Sequence, residues 1–150
     1  MKDCYIVTGT TSGLGLSFIT ELLKKGALVY SISRKENEAV QQLKLTGLEH
    51  FNCDLANADE LSSTIDKVFF KLRQEKIKSY TLINNAGTIN PIGDVGAHEA
   101  RELANNIDTN IKAPILLMEA FIKEVQEIAL PKYILNISSG AGRKPYAGWA

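Results

Sequence analysis

Three glycines near the amino terminus have the spacing of a turn that holds a phosphorylated ligand. Gly9, Gly13 and Gly15 lie between a short apolar run and the first amphipathic stretch of the chain. The first glycine permits a tight turn, the second lets backbone approach a pyrophosphate, and the third lets a helix pack closely on a strand. The N–H groups and the positive dipole end of that helix then face the anion. The segment predicts a phosphate-binding turn, although a glycine-rich turn without a ligand would have the same composition.

The spacing of these glycines excludes several other nucleotide-binding turns. A P-loop requires Lys and Ser or Thr after its last glycine, whereas Leu16 follows Gly15 here. The common dinucleotide fingerprint G-x-G-x-x-G does not fit either, because this segment reads G-x-x-x-G-x-G. A methyltransferase on a similar sheet is disfavoured, since its glycine loop usually follows an acidic strand end and Thr8 precedes Gly9 here.

Strand and helix patterns alternate along the chain and place the glycine turn after the first strand. Short β-branched or apolar runs predict strands over residues 4–8, 27–33, 49–53, 80–83 and 132–137. Helical spacing of apolar residues predicts four helices, over residues 13–26, 36–45, 57–72 and 99–129. The first ends at Gly26, and the third begins at a cap on Asn57 or Asp59. Pro114 should kink or split the fourth. This alternation predicts the α/β class, with a doubly wound parallel sheet. We expect one domain over residues 1–150, truncated after the fifth strand and incomplete at its C-terminal end.

Composition and charge exclude several classes of partner. The 150 residues carry 17 basic and 17 acidic side chains, so no charge excess indicates nucleic acid or anionic lipid. No apolar stretch approaches the roughly 20 residues that span a bilayer. Cys4 and Cys53 lack the spacing of metal ligands and are expected to be buried thiols, and His50 and His98 have no partners that suggest a metal site. We expect no metal, no nucleic acid, no membrane partner and a cytoplasmic location.

Four later segments, taken with the glycine spacing, resemble the short-chain dehydrogenase/reductase family and come in that family's order. They are Asp54-Leu55 after the third strand, Asn84-Asn85-Ala86-Gly87 after the fourth, Asn110 in the long helix, and Asn136-Ile137-Ser138-Ser139 after the fifth. Within the family, residues 139–149 are most similar to bacterial benzil reductases and sepiapterin-reductase-like enzymes. The resemblance covers essentially the whole chain and implies a Rossmann-like fold that binds a nicotinamide cofactor.

The end of the second strand distinguishes NADP(H) from NAD(H). An acidic residue there accepts a hydrogen bond from the ribose hydroxyl, whereas an arginine pairs with the 2′-phosphate. This chain has Arg34 and Lys35 at that place, with no acid before Glu36. The pattern favours NADP(H), with Arg34 on the phosphate, although a strand-end arginine can also be simply solvated. Many NADP-preferring relatives carry a basic residue in the glycine loop where this chain has Ser12.

The resemblance also implies roles for the rest of the cofactor site. Asp54 would meet the adenine amino group, or it could be an acid that favours a helix N-terminus. Asn84, Ala86 and Gly87 would line the ribose, although Asn84 could instead only tie two strands together. The full set of implied cofactor-binding residues is Gly9, Thr11, Ser12, Gly13, Leu14, Gly15, Arg34, Asp54, Leu55, Asn84, Ala86 and Gly87.

The resemblance implies part of a catalytic set. Ser139 would hydrogen-bond the substrate oxygen, and Asn110 would support a proton-relay water, although a serine here could only cap a turn and a helical Asn could lie on the surface. The family's Tyr-x-x-x-Lys motif, which supplies the proton, would come just past Ala150, and Tyr146 has no Lys behind it. We therefore expect the 150-residue chain alone to be inactive.

These observations predict a function for the parent protein. It would be an NADP(H)-dependent oxidoreductase of the carbonyl reductase kind, acting on a small ketone or dicarbonyl and assembling as a homodimer or homotetramer. The alternative is a non-catalytic nucleotide-binding fragment or pseudoenzyme, and the sequence downstream of Ala150 would distinguish the two.

Overall fold

A computed structural model describes residues 1–44, 47–144 and 146–148 of the chain. Five strands alternate with helices in these residues, as the sequence pattern predicts. The strands are β1 (Lys2–Thr8), β2 (Leu28–Ser33), β3 (Leu48–Asn52), β4 (Ile77–Asn84) and β5 (Lys132–Asn136). The helices are α1 (Gly13–Lys24), α2 (Glu38–Lys44), α3 (Ala58–Leu72), α4 (Ala100–Ile107) and α5 (Ala113–Val125), with a π-helical turn at Asp108–Lys112 and a 3-10 turn at Gly140–Gly142.

The five strands form one parallel sheet in the order β3-β2-β1-β4-β5. The strand order reverses between β1 and β4, because the chain builds outward from β1 to β3 and then returns to the other side of β1. The carboxyl ends of β1 and β4 therefore diverge into loops that lead to opposite faces of the sheet, which is where open α/β sheets bind ligands. The predicted doubly wound, Rossmann-like sheet is confirmed.

Two apolar cores flank the sheet. One packs Ile19 of α1 and Val40 of α2 against one face, where Val7 and Val29 contribute from the strands. The larger core packs α3 and α5 against the opposite face through Leu61, Val68, Phe69, Leu117 and Phe121. Cys4 and Cys53 are 1% and 0% exposed, and burial raises the pKa of the Cys4 thiol to about 12. The prediction that both cysteines are buried free thiols is confirmed.

Several element bounds differ from the sequence prediction. β4 begins at Ile77 rather than at residue 80, because Ser79, although polar, is buried and its hydroxyl donates to Asp3 on β1 at 2.5 Å. α2 begins at Glu38 rather than at residue 36, since the Asn37 side chain accepts a hydrogen bond from the N–H of Val40 and caps the helix. The predicted end of α2 at Leu45 lies outside the described residues, as does Trp149, the last residue of the stretch 139–149 that resembles bacterial benzil reductases.

The long helical segment is split at the predicted place by a π turn. The N–H of Ala113 bonds to the carbonyl of Asp108, five residues back, and Pro114 then occupies the first turn of α5. Proline has no N–H with which to close an α-helical bond to the carbonyl of Asn110, so the regular ladder cannot continue through this point. The prediction that Pro114 splits the helix is confirmed, although the helical residues end at Val125 rather than at 129.

Among the described residues, no helix is both long and apolar enough to cross a bilayer.

The cap of α3 gives a test of the fold. The Asn57 side chain accepts hydrogen bonds from the N–H groups of Asp59 and Glu60, at 3.1 and 3.2 Å. We expect Asn57→Ala to lower the free energy of unfolding of the full-length protein in urea by about 1 kcal/mol, because both donors lose this acceptor. Asn57→Asp keeps the acceptor and should match the wild type. An alanine variant as stable as the wild type would contradict the assigned cap.

Candidate functional site

Two clefts open at the carboxyl ends of the strands, and they share one wall. The first, of about 550 Å3, lies between the glycine turn and the ends of β2, β3 and β4. The second, of about 830 Å3, lies between the ends of β4 and β5 and the π turn. The segment after β4 lines both clefts with Asn85, Ala86, Gly87 and Thr88. A molecule lying in the first cleft can therefore contact one in the second.

The glycine turn is packed too tightly for side chains at two of its positions. A Cβ on Gly9 would lie 2.7 Å from the Cα of Ala86, and the φ of Gly9 is +69°. A Cβ on Gly15 would overlap the carbonyl oxygen of Gly9. At Gly13, by contrast, a Cβ would meet nothing within 4 Å, and the requirement there is the positive φ of 53°. Gly9 and Gly15 thus bring the turn, α1 and the end of β4 into direct contact.

Side-chain hydrogen bonds hold β1 and β4 together at the shared wall. The buried Thr8 hydroxyl oxygen accepts from the N–H groups of Asn85 and Ala86, at 3.1 and 3.0 Å. In return, the Asn85 amide donates to the carbonyl oxygens of Thr8 and Gly9, at 3.0 Å each. These bonds satisfy donors and acceptors that leave the sheet ladder at this point, and they fix the glycine turn relative to Ala86 and Gly87.

The amino end of α1 offers backbone donors to the first cleft. Ser12 is the N-cap, and within residues 1–44 its side chain makes no capping hydrogen bond, while the first turn of α1 contains no acidic residue. The first N–H groups of a helix have no intrahelical acceptor and lie at the positive end of the helix dipole. Thr11, Ser12 and Leu14 line the cleft beside them. This end of the cleft is suited to an anion.

Arg34 and Lys35 line the same cleft where β2 ends. Arg34 is exposed, and no salt bridge found in the described part of the chain involves it. The first acid after it, Glu36, is 2.6 Å from the ammonium group of Lys44, which lowers the pKa of the Glu36 carboxyl and keeps it charged. The cleft therefore has a cationic end next to the end that carries the helix N-terminus.

Asp54 and Leu55 line the first cleft after β3. Leu55 is buried, whereas Asp54 is exposed and accepts a hydrogen bond from the N–H of Ala56 at 3.1 Å. Asn57 caps α3, so Asp54 lies before the helix rather than in its first turn. The structure therefore places Asp54 in the cleft wall and not in the helical position of the alternative interpretation.

Most of the predicted cofactor-binding residues meet in the first cleft, and two do not. Those in its wall are Gly9, Thr11, Ser12, Leu14, Gly15, Arg34, Asp54, Leu55, Ala86 and Gly87. Gly13 is the first residue of α1 and is not part of the wall. Asn84 is 5% exposed, lies in the wall of the second cleft, and donates to the Asn136 side chain on β5 at 2.8 Å. This hydrogen bond links β4 to β5, which is the alternative role that the sequence allowed for Asn84.

Ser139 and Asn110 lie together in the second cleft. The Ser139 hydroxyl oxygen accepts from the N–H of Ala141 at 3.2 Å and so caps the 3-10 turn, and a hydroxyl that accepts a bond still has its own hydrogen to donate. The Asn110 side chain donates to the Thr88 carbonyl at 2.7 Å and accepts from the Thr88 N–H at 2.8 Å. Asn110 therefore fixes the shared wall, while Ser139 presents a polar group to the cleft. Tyr146 also lines this cleft.

The sequence patterns did not predict several residues of the site. Ser33, Cys53, Asn105 and Thr109 line the first cleft, and Asn106 donates to the Asn90 carbonyl at 2.7 Å and accepts from the Asn110 amide at 3.0 Å. The four-residue spacing of Asn106 and Asn110 on one helical face was the available signal. Ser33 and Cys53 gave none, because their place beside the cleft depends on the sheet order.

Among the described residues, no group of three or more His, Cys, Asp or Glu side chains could hold a metal ion.

Comparisons with known proteins place the chain among the dehydrogenases. The family model of the short chain dehydrogenases matches residues 3–150. A benzil reductase ((S)-benzoin forming) of Bacillus cereus is 36% identical over 149 residues, and an NADPH-dependent pterin aldehyde reductase of Arabidopsis thaliana is 31% identical over 144. These matches cover 96% and 92% of this chain, but the chain spans only 59% and 57% of the relatives' own lengths.

A solved structure has the same fold. The crystal structure of a short-chain dehydrogenase/reductase from Burkholderia vietnamiensis superposes with a TM-score of 0.88 at 28% identity. The match covers 99% of this chain and 68% of the Burkholderia chain.

The hydrogen bonds that the Thr8 hydroxyl accepts from Asn85 and Ala86 should contribute strongly to stability, so removal of this hydroxyl oxygen should destabilise the protein. We expect Thr8→Val to lower the free energy of unfolding of the full-length protein by about 2–4 kcal/mol, because two partly buried N–H groups lose their acceptor in an almost unchanged volume. Thr8→Ser retains the oxygen and should lose about 1 kcal/mol, mostly from the missing methyl group. Urea unfolding measures both variants. A valine variant that is no less stable than the serine variant would show that the hydroxyl does not carry this contact.

Proposed function

The chain belongs to the short-chain dehydrogenase family, and we propose that it forms the cofactor-binding part of an NADP(H)-dependent oxidoreductase. In this proposal the first cleft holds NADP(H), and the second holds a small ketone or dicarbonyl. The observation that carries the choice of cofactor is the position of Arg34 and Lys35 at the end of β2, in the same cleft as the glycine turn. The NADPH-dependent relative from Arabidopsis thaliana agrees with that choice.

The shape of the first cleft fits a dinucleotide. Its backbone approaches closely at Gly9 and Gly15, where any side chain would collide with Ala86 or the Gly9 carbonyl. The free N–H groups at the start of α1 would hold the pyrophosphate, and Asp54 and Leu55 would lie beside the adenine. Ala86 and Gly87 would lie along the ribose, since a methyl group and a residue without a side chain leave the shared wall open.

Arg34 would hold the 2′-phosphate that distinguishes NADP(H) from NAD(H). A guanidinium group forms two parallel hydrogen bonds with a phosphate and stays charged throughout the physiological pH range. Lys35 would add a second positive charge. Because Glu36 is paired with Lys44, its carboxylate is partly neutralised and repels the phosphate less.

Ser139 and Asn110 would have different tasks in the second cleft. A bound nicotinamide supplies or accepts the hydride in this chemistry. The Ser139 hydroxyl would donate to the carbonyl oxygen of the substrate and stabilise the negative charge that develops there. Asn110 would act as a positioning residue, because both polar atoms of its side chain hold Thr88 in the wall between the clefts.

An exposed apolar row along α4, the π turn and α5 supports the proposal that the full-length protein assembles as a homodimer or homotetramer. Leu103, Ile107, Ile111 and Ile115 follow one another at four-residue spacing and are exposed, and the last two also line the second cleft. An apolar row of this kind on one helical face is typical of a surface that packs against another helix.

Oxidation of NADPH by the full-length protein tests the proposed function. The protein should consume NADPH with small ketones and diketones, benzil among them because a similar protein is a benzil reductase. NADH should serve poorly at equal concentration. Binding of NADPH without turnover on any carbonyl compound would favour the non-catalytic alternative, and failure to bind either cofactor would contradict the assignment of the first cleft.

Arg34→Asp tests the 2′-phosphate contact. We expect the dissociation constant for NADPH to rise by a factor equivalent to about 2–4 kcal/mol, since a charge-assisted pair is lost and a repulsion is added. Binding of NADH should change far less. Lys76→Asp makes the same change of charge and serves as the control. Lys76 directly precedes the first residue of β4, at the end of the strand opposite the cleft, and does not line it. Equal losses for the two cofactors in the Arg34 variant would remove Arg34 from the 2′-phosphate.

Ser139→Ala tests the carbonyl contact. Loss of one donor to a developing oxyanion typically lowers kcat by roughly 10²–10³-fold, and we expect a decrease of that size in NADPH-dependent reduction by the full-length protein. The dissociation constant for NADPH should stay near the wild-type value, because Ser139 does not line the first cleft. Turnover near the wild-type rate would leave the serine as the cap of the 3-10 turn only.

A further inference from the structure

A row of hydrogen-bonded side chains runs beneath the first cleft, from the outer strand of the sheet to the glycine turn. The Thr10 hydroxyl lies 2.9 Å from that of Ser31, the Ser31 hydroxyl lies 2.6 Å from Nδ1 of His50, and Nε2 of His50 lies 3.1 Å from Oδ1 of Asn52. Thr10 and Ser31 are both 0% exposed. Thr10 directly follows Gly9, so the inner end of the row is part of the turn that faces the cleft.

The hydrogens of this row can be assigned from its ends. Oδ1 of Asn52 can only accept, so Nε2 of His50 carries a hydrogen. In a neutral imidazole Nδ1 is then an acceptor, and it takes the hydrogen of Ser31. The Ser31 oxygen is left to accept from Thr10. Every hydroxyl therefore donates in one direction, from the glycine turn toward His50.

A proton on Nδ1 would reverse the row. Nδ1 could then only donate, so the Ser31 hydrogen would have to turn to Thr10, and Thr10 would need another acceptor. The Ser33 hydroxyl oxygen lies at 3.5 Å, which is long for a bond between hydroxyl groups. Ser33 itself donates to the carbonyl of Lys35 at 3.2 Å, in the segment that carries the cationic end of the cleft. The neutral form of His50 is the one that suits the observed turn.

The surroundings of His50 favour the neutral form. Burial lowers the pKa of His50, and the bond to Asn52 opposes this in part. Glu36 and Lys44 act on His50 from the α2 side with opposite signs, and they form an ion pair with each other. The preceding residue of β3, Glu49, points to the opposite face of the sheet and pairs there with Lys71. The neighbour on β2, Ser31, is uncharged.

We propose that His50 is a positioning residue for cofactor binding, which fixes the hydroxyls of Ser31 and Thr10 and, through them, the shape of the glycine turn. The inference rests on the proposed function, since it assigns the turn to NADP(H). His50 touches neither cleft, and its influence passes entirely through the row. NADPH should bind to the form with neutral His50 and more weakly to the protonated form.

Titration of NADPH into the full-length protein between pH 5.5 and 8 tests the proposal with two variants. In His50→Asn the carboxamide oxygen can accept from Ser31 near the position of Nδ1, but it does not titrate. In His50→Leu the acceptor is gone, so the row must adopt the reversed direction at every pH. The 2′-phosphate of NADPH also titrates near pH 6, so the informative quantity is the difference between wild type and His50→Asn.

We expect three results. Wild type and His50→Asn should bind NADPH alike at pH 8. As the pH falls, wild type should become progressively weaker than His50→Asn, approaching a difference of about fivefold once His50 is protonated, which corresponds to one ordinary hydrogen bond. His50→Leu should be about fivefold weaker than wild type at pH 8. The control His98→Gln should keep the wild-type profile, because His98 bonds to the Gly93 carbonyl away from the row.

Proton NMR gives a readout that a merely structural role of His50 would not change. The imidazole signal that disappears in His50→Asn identifies His50, and its pKa should fall further when NADPH is added, because binding to the neutral form disfavours the proton. Identical pH profiles for wild type and His50→Asn, together with a His50 pKa that NADPH does not move, would overturn the proposal. A wild type that binds NADPH at no pH would instead overturn the proposed function, and this inference with it.

Discussion

The Thr8 hydroxyl and the two backbone N–H groups that it accepts from hold the site together. Asn85 and Ala86 leave the ladder at the end of β4, and Thr8 is the last residue of β1. Their hydrogen bonds bring the glycine turn against Ala86, so closely that Gly9 can carry no side chain. Since the strand order reverses at this point, the same contact keeps the loops of the two faces at a fixed separation, and the first cleft lies between them.

The wall between the two clefts depends on that contact and on a second one from the helical side. Asn110 binds the backbone of Thr88 through both polar atoms of its side chain, and the π turn before Pro114 directs that side chain toward the end of β4. Residues 85–88, which line both clefts, are therefore fixed by hydrogen bonds to Thr8 of β1 at one end and to Asn110 of the π turn at the other. A rigid wall of small residues is what hydride transfer between neighbouring binding sites requires, because the reacting atoms must approach closely in a fixed orientation.

The sequence predicted the architecture and most of the first cleft, because both depend on local patterns. Alternating strands and helices imply the sheet, and the glycine spacing implies the tight turn. Sequence patterns could not assign Asn84, whose buried contact with Asn136 is set by the register of β4 against β5. They also missed the row from Thr10 to His50, since its members are distant in sequence and meet only where three neighbouring strands lie side by side. Contacts of this kind follow from strand order rather than from composition.

The proposed function requires that a cofactor in the first cleft react directly with a carbonyl compound in the second. Isotope transfer by the full-length protein tests this requirement, with NADPH that is dideuterated at C4 of the nicotinamide and with benzil as substrate. We predict that mass spectrometry will find one deuterium on the new carbinol carbon of the product. An alcohol product without deuterium on that carbon, or consumption of NADPH without formation of an alcohol, would contradict it.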